Sequence, residues 1–138
     1  MNRAVIRGIG LALVLASHTV MADVVAVVSS KSAITTLSKS QIVDIFLGRV
    51  SHFPDGLQAV PIDQPEGSAA RDEFYAKVVG KSSAQMKAYW SKIIFTGRGQ
   101  PPKEATSSAE TKRRITENPA AIGYIDASLV NDSVRVVI

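Results

Sequence analysis

The sequence predicts an α/β domain in which helices flank a parallel or mixed β-sheet. Three observations lead to this prediction. An almost continuous run of valine and alanine over Val24–Ser29 is typical of a strand buried on both faces of a sheet. A strand, a turn and a helix follow one another through residues 60–79. Apolar residues then recur at helical spacing over residues 86–94, which indicates an amphipathic helix packed on the sheet.

The first 22 residues form a predicted export signal. Arg3 and Arg7 precede an apolar core over residues 9–16, and the Val-Met-Ala triplet that ends at Ala22 satisfies the small-residue rule for cleavage. This core is shorter than the roughly 20 apolar residues that a bilayer span requires. We therefore expect cleavage after Ala22 and one soluble, periplasmic domain over residues 23–138, without a transmembrane segment.

Composition excludes several kinds of site. The chain contains no cysteine, so we expect neither a disulfide nor a lipid anchor. Without the two arginines of the signal, 14 Lys and Arg stand against 12 Asp and Glu, and the net charge is +2. That weak bias suits a small anion better than nucleic acid, which is read by clustered basic faces with interleaved aromatics. The densest basic cluster, residues 112–114, is predicted to be solvated helix surface.

Catalytic and metal-binding motifs are also missing from the sequence. His52 is the single histidine after the signal, and we interpret it as a loop residue because metal sites need several converging ligands. Cys–His nucleophiles, zinc clusters and HExxH sites are thereby excluded. Asp63 and Glu66 are a candidate carboxylate pair, but two acids in a surface turn are usually solvated. We expect no enzyme activity, no metal and no cofactor.

Three helix starts are predicted from capping boxes, in which a serine and the Glu or Gln three residues later each bond the other's backbone N–H group. The first helix is expected to end near Leu47, since Gly48 follows. The last is expected to reach Asn118, where Pro119 stops it. The three boxes pair Ser38 with Gln41, Ser82 with Gln85, and Ser107 with Glu110.

The helix that follows the second box has the clearest amphipathic pattern of the chain. Its apolar stripe is expected to face the core. Beyond it, residues 97–105 are predicted to be a turn-rich loop, and residues 122–125 and 134–138 two final strands. The stripe consists of Met86, Tyr89, Trp90, Ile93 and Ile94.

The turn ahead of the central helix is the predicted ligand site. Ser68 is a good N-cap residue, so the helix begins at Ala69. The first N–H groups of a helix lack intrahelical partners and lie at the positive end of its dipole, which favours an anion. Arg71 adds a cation with a planar fork of donors. Gly67, Ser68, Ala69, Ala70 and Arg71 therefore form the predicted anion-binding site. Acidic residues in the first turn leave open the alternative that they already satisfy the dipole.

Three motifs of the chain resemble the substrate-binding component of phosphate ABC transporters, a branch of the type II periplasmic binding proteins. Residues 37–48 (LSKSQIVDIFLG) are similar to the first helix of that family's second lobe. Residues 66–71 (EGSAAR) resemble its phosphate-cradling Gly-Ser-Gly-Thr turn, and residues 119–125 (PAAIGYI) its late strand. The order and spacing agree. The resemblance implies a single periplasmic-binding-protein-like lobe, a mixed sheet flanked by helices.

The chain also departs from that family pattern. Ala69 and Ala70 replace the second glycine and the threonine of the turn, which removes a hydroxyl donor and keeps both backbone amides. Gln64 stands where the family often has an arginine, and Arg71 is a candidate to replace it. The resemblance extends to one lobe of a clamp that has two.

Two functions are therefore expected and left open. In the first, an exported domain binds phosphate or a similar oxyanion at the helix N-terminus, alone or with a second copy as the other wall, and serves an ABC permease. In the second, the lobe is a non-catalytic interaction module of the cell envelope with a decayed ligand site. A homodimer, a second-lobe partner and a monomer all remain open.

Overall fold

The computed structural model describes residues 23–138, so the predicted export signal lies outside the described residues. Over that range, no helix combines the length and the apolar character needed to cross a membrane. The elements in chain order are β1 (Val24–Ser29), α1 (Lys39–Phe46), β2 (Val60–Asp63), α2 (Ala69–Phe74) with a π-helical continuation (Tyr75–Val79), α3 (Ser83–Phe95), β3 (Lys103–Glu104), α4 (Ser108–Glu117), β4 (Ala121–Asp126), a 3₁₀ turn (Ala127–Leu129) and β5 (Val134–Val136).

The five strands form one mixed sheet in the order β3-β2-β4-β1-β5. β2 lies parallel to both β3 and β4, whereas β1 lies antiparallel to β4 and β5. β4 is the central strand, and its residues 121–125 are all buried. The predicted α/β class with a mixed sheet flanked by helices is confirmed.

Both faces of the sheet are covered, which explains the continuous apolar runs in its inner strands. Successive side chains of a strand point to opposite faces, so Val28 joins the aromatic cluster under α1, α2 and α3, while Val27 joins the cluster under α4. α4 approaches β4 closely at Gly123. A Cβ atom there would lie 2.7 Å from Cγ2 of Thr111 and 2.9 Å from Cδ1 of Ile115. Glycine is therefore needed for this helix to pack on the sheet.

Two of the three predicted capping boxes are confirmed, at Ser38 and Ser82. The third is only half formed. The Ser107 hydroxyl accepts from the Glu110 N–H group, but the Glu110 carboxylate accepts from the Thr106 N–H group at 2.7 Å rather than from Ser107. Arg114, one turn further along α4, binds the other carboxylate oxygen at 2.6 Å. The reciprocal part of that prediction is wrong because two other donors hold the carboxylate.

Two further predictions need correction. Ile94 was expected in the core, yet its side chain is 55% exposed, whereas Met86 and Trp90 are buried. The segment predicted as loop also contains β3, which pairs with β2 through Ile62 and Lys103. A strand of two residues has too little periodicity to be seen in a sequence.

Candidate functional site

The predicted anion site lies where β2 turns into α2. The Ser68 N–H group donates to the Pro65 carbonyl at 3.0 Å, and Gly67 adopts a φ of +86° that favours glycine. Ser68 is the N-cap, as predicted: its hydroxyl accepts from the Arg71 N–H group at 3.3 Å. The Ser68 carbonyl accepts the first intrahelical bond, from Asp72 at 3.1 Å. The sequence of the turn therefore sets the local geometry of the site.

Two backbone donors of this turn are unpaired. The N–H groups of Ala69 and Ala70 donate to no acceptor among residues 23–138. Ala69 is exposed and Ala70 is half-buried, so solvent reaches the turn. Unpaired amides at the start of a helix, beside the positive end of its dipole, are the donors that an oxyanion needs. α2 itself is short, but it continues without a break into the π-helical turn.

The Arg71 side chain is held near the start of this turn by three contacts. Its Nη1 atom lies 3.3 Å from the Gln64 carbonyl oxygen and 3.3 Å from a Glu104 carboxylate oxygen. The guanidinium carbon lies 5.4 Å from the ring centroid of Tyr75, within cation–π range. Only 12% of the Arg71 side chain is exposed, against 53% of Glu104. Within the described residues, Nη2 and Nε make no hydrogen bond, so two donor positions remain beside the turn.

Asp63 is buried beneath the turn and does not form the candidate carboxylate pair. It is 3% exposed, whereas Glu66 lies in solvent. The Tyr75 hydroxyl donates to one Asp63 carboxylate oxygen at 2.6 Å, and the Tyr124 hydroxyl donates to the other. Burial, with the neighbouring Asp63 charge next in size, raises the pKa of both tyrosines far above the ordinary value. Both therefore stay protonated and donate to Asp63, so the expectation that it is solvated is wrong.

Gln64 replaces the family's arginine with a structural amide. Its side chain is buried, and Nε2 donates to the Tyr124 carbonyl at 2.9 Å and to the Ser108 hydroxyl at 3.1 Å. This residue therefore links β2 to β4 and α4, and its side chain is not available to a ligand. Sequence reasoning missed the network. The available signal was Tyr124 inside an apolar strand, because a buried tyrosine hydroxyl usually finds a hydrogen-bond partner.

The other candidates lie apart from the turn. Nδ1 of His52 lies 3.2 Å from the Phe53 carbonyl oxygen, and residues 23–138 contain no cluster of acids and histidine that could hold a metal ion. Two of the three residues in the basic cluster on α4 are paired within their own helix: Arg113 with Glu117 at 3.3 Å, and Arg114 with Glu110. These ion pairs agree with the prediction that the cluster is solvated helix surface.

Comparisons with known proteins point to one lobe of a larger fold. No protein-family model and no curated protein matches the chain. Among solved structures, the chain is similar to a Clostridium perfringens protein described as a phosphate ABC transporter substrate-binding protein with bound phosphate. The TM-score is 0.64 at 25% identity, over 83% of this chain and 43% of that one.

Two further structures share the fold at lower identity. An ABC-type phosphate transport receptor from Vibrio cholerae has a TM-score of 0.64 at 17% identity, over 83% of this chain and 44% of that one. PstS from Borrelia burgdorferi has a TM-score of 0.60 at 14% identity, over 83% and 46%. The chain spans less than half the length of these proteins. It therefore resembles, in fold, a single lobe of phosphate ABC transporter substrate-binding proteins.

Proposed function

We propose that this chain is an exported, non-enzymatic solute-binding lobe that binds phosphate or a similar oxyanion at the turn before α2. The observation that carries the proposal is the pair of unpaired N–H groups at Ala69 and Ala70, in a turn whose first carbonyl, that of Gln64, holds the Arg71 guanidinium. The similar Clostridium perfringens structure, described with bound phosphate, supports it. The periplasm, and a phosphate ABC permease as partner, follow as parts of the same proposal.

An oxyanion at this turn would have donors of three kinds. The two amides supply backbone N–H groups, and the Ser68 hydroxyl keeps its proton to donate, because it acts as an acceptor towards Arg71. Nη2 and Nε of Arg71 supply charge-assisted donors, each worth roughly 1.5–3 kcal/mol when fully formed. The Glu104 carboxylate competes for this cation. Since its side chain is half exposed, it can turn into solvent when an anion arrives.

A single lobe offers one wall of a binding cleft. Because the proteins it matches are more than twice as long, the proposal includes a second wall from another copy or from a partner. Without that wall, water reaches the anion and weakens each of its hydrogen bonds. We therefore expect a dissociation constant near ~1 mM for the chain alone, since only a few exposed donors contribute.

A thermal-shift measurement tests the proposal. At a dissociation constant of about 1 mM, 10 mM phosphate stabilises the fold by about 1.4 kcal/mol, a rise in Tm of roughly 5 °C for a domain of this size. Chloride at matched ionic strength should not reproduce this rise. Arg71→Glu and Ser68→Ala should both reduce it, because one reverses the charge and the other removes a hydroxyl donor.

The variant Glu104→Gln tests most directly whether phosphate binds at this turn. Removing the competing carboxylate should strengthen phosphate binding several-fold, since Arg71 then faces no anion of its own chain. Asp132→Asn is the matched control, because it removes one negative charge from an exposed turn elsewhere. Equal phosphate responses in Glu104→Gln, Asp132→Asn and the unmodified chain would contradict binding at this turn.

The Arg71–Glu104 ion pair also favours the second candidate function, an interaction module with a decayed ligand site. In that case the carboxylate permanently takes the place of the ligand anion. The same experiment separates the two functions. A phosphate shift no larger than that of chloride, unchanged in Glu104→Gln, is the result expected of the interaction module.

A further inference from the structure

The segment from the end of the π-helical turn to β3 carries uncompensated positive charge. Residues 80–103 contain five Lys and Arg residues and no Asp or Glu. None of the five forms an ion pair with another residue of the described range. Four are exposed and one is half-buried. These cations are Lys81, Lys87, Lys92, Arg98 and Lys103.

The outward face of α3 carries small side chains along most of its length and large apolar side chains at its C-terminal end. Phe95 is 92% exposed, and its neighbour Ile94 is 55% exposed. Ala84, Ala88 and Ser91 lie on the same exposed face as Phe95, at helical spacing. Phe95 and Ile94 together expose an adjoining apolar pair beside these cations, and aromatic residues are enriched in the contact surfaces of proteins.

A groove of about 690 Å³ lies between the end of α1 and the last turns of α3. Its lining includes Tyr89, Trp90 and Ile93 together with the cations Lys92 and Arg98. Arg49 also lines it, but that residue is paired with Asp44 at 3.4 Å. Among residues 23–138, no carboxylate lines it. Lys92 links the groove to Phe95, since residues three apart on a helix are separated by about 60° around the axis. The groove and the exposed aromatic therefore form one continuous surface, here called the α3 surface.

Trp90, one of the residues that line the groove, has an unpaired indole N–H group. Its side chain is 6% exposed, and its Nε1 atom has no hydrogen-bond partner within the described residues. A buried indole N–H group normally finds an acceptor. The described residues therefore supply no acceptor for this N–H group.

We propose that the α3 surface docks an acidic segment of another protein, whose carboxylates enter the groove and whose apolar side chains cover Phe95. A symmetric dimer through this surface would bring Lys92 and Arg98 against the same two cations of the other copy, so a second copy is disfavoured. The small residues along α3 allow a partner helix to approach closely, which a membrane would not exploit. Charge complementarity therefore selects an acidic protein segment.

This surface is separate from the proposed phosphate site. No residue of 64–71 lines the groove within the described part of the chain. The two proposals can therefore fail independently, and each has its own readout.

Trp90 supplies the readout for docking, because it is the only tryptophan of the chain. The probe is an amphipathic helical peptide of about 16 residues, with Glu on one face and Leu beside that face. It contains no tryptophan. A control peptide carries Lys in place of Glu. We expect the acidic peptide to shift the Trp90 emission and to bind with heat in calorimetry, and the basic peptide to do neither. Binding should weaken as NaCl is raised, because exposed ion pairs are screened.

Variants locate the docking surface. Lys92→Glu with Arg98→Glu should weaken the acidic peptide about 10-fold or more, because two rim charges are reversed. Lys31→Glu with Lys39→Glu is the matched control, since it changes the net charge equally at exposed sites outside the groove. Phe95→Ser should weaken the peptide several-fold and leave Tm unchanged. All variants should keep the phosphate response of the unmodified chain.

Three results would overturn the proposal. The first is no detectable binding of the acidic peptide at a peptide concentration of about 1 mM. The dissociation constant would then lie well above about 1 mM, weaker than a specific contact requires. The second is equal weakening by the α3 pair and by the control pair, which would show nonspecific attraction. The third is binding to vesicles of phosphatidylcholine and phosphatidylglycerol without binding to the peptide, which would assign the surface to a membrane.

Discussion

α3 and α4 cover opposite faces of the same sheet and treat their basic residues in opposite ways. α4 places Glu110 and Glu117 one turn from its arginines, so both arginines are paired along the helix. α3 has no acidic residue, and its cations face solvent beside the exposed Phe95. Ion pairs between residues three or four positions apart stabilise a helix whose outer face is exposed to solvent. The difference is the one expected if α3 docks a partner, as proposed above, and α4 does not.

The largest expected effect separates the two faces of α3. Met86→Ala should lower the free energy of unfolding by about 2–5 kcal/mol, because it opens a cavity in the core. Phe95→Ala should change it by less than about 0.5 kcal/mol, because that side chain is almost fully exposed. Urea unfolding of both variants tests this contrast. A cost above about 1 kcal/mol at Phe95 would show that its ring is packed, and would remove the main apolar element of the α3 surface.

A smaller effect is expected where α4 meets the sheet. Gly123→Ala should cost about 1–3 kcal/mol, because the new Cβ would overlap Thr111 and Ile115 and displace the helix. Thermal unfolding measures this loss. Gly56→Ala is a useful comparison: no atom lies near its added Cβ, so any cost there comes from the positive φ alone. Equal stability of Gly123→Ala and the unmodified chain would mean that α4 is not held at this distance.

The smallest expected effect is the loss of stability when Glu110 of α4 is protonated at low pH. Hydrogen bonds from the Thr106 hydroxyl and N–H group, followed by one from Arg114, lower the pKa of Glu110 to about 2. A folded-state pKa below the unfolded value stabilises the fold at pH values above the unfolded pKa. That contribution should begin to disappear below about pH 4.5 and be gone near pH 2.

Glu110→Gln provides the comparison for this titration. The difference in Tm between the variant and the unmodified chain should be constant near neutral pH and shrink as the pH falls from 4.5 towards 2. A difference that stays constant across that range would contradict a lowered pKa. α3 offers no equivalent titration, since it contains no carboxylate.

Elements whose hydrogen bonds are local were predictable from the sequence. The caps at Ser38, Ser68 and Ser82 each bond a residue three positions away, so four adjacent letters contain the whole interaction. β1 and β5 followed from valine-rich runs, and the buried part of α3 from its periodicity. The resemblance of three short motifs then identified the lobe, which the shared fold confirms.

The tertiary structure alone decided which of these residues meet. Arg71 and Glu104 are 33 positions apart, and Asp63 and Tyr124 are 61 apart. Neither pairing has a periodic signature, because the order of strands in the sheet brings them together. Glu110 bonds Thr106 and Arg114 instead of completing its box, since donors compete in space and not along the chain. Local hydrogen bonds and hydrophobic periodicity depend on residues that are close together in the sequence. Burial, ion pairing and the exposure of a helix face depend on contacts that form only when the sheet assembles.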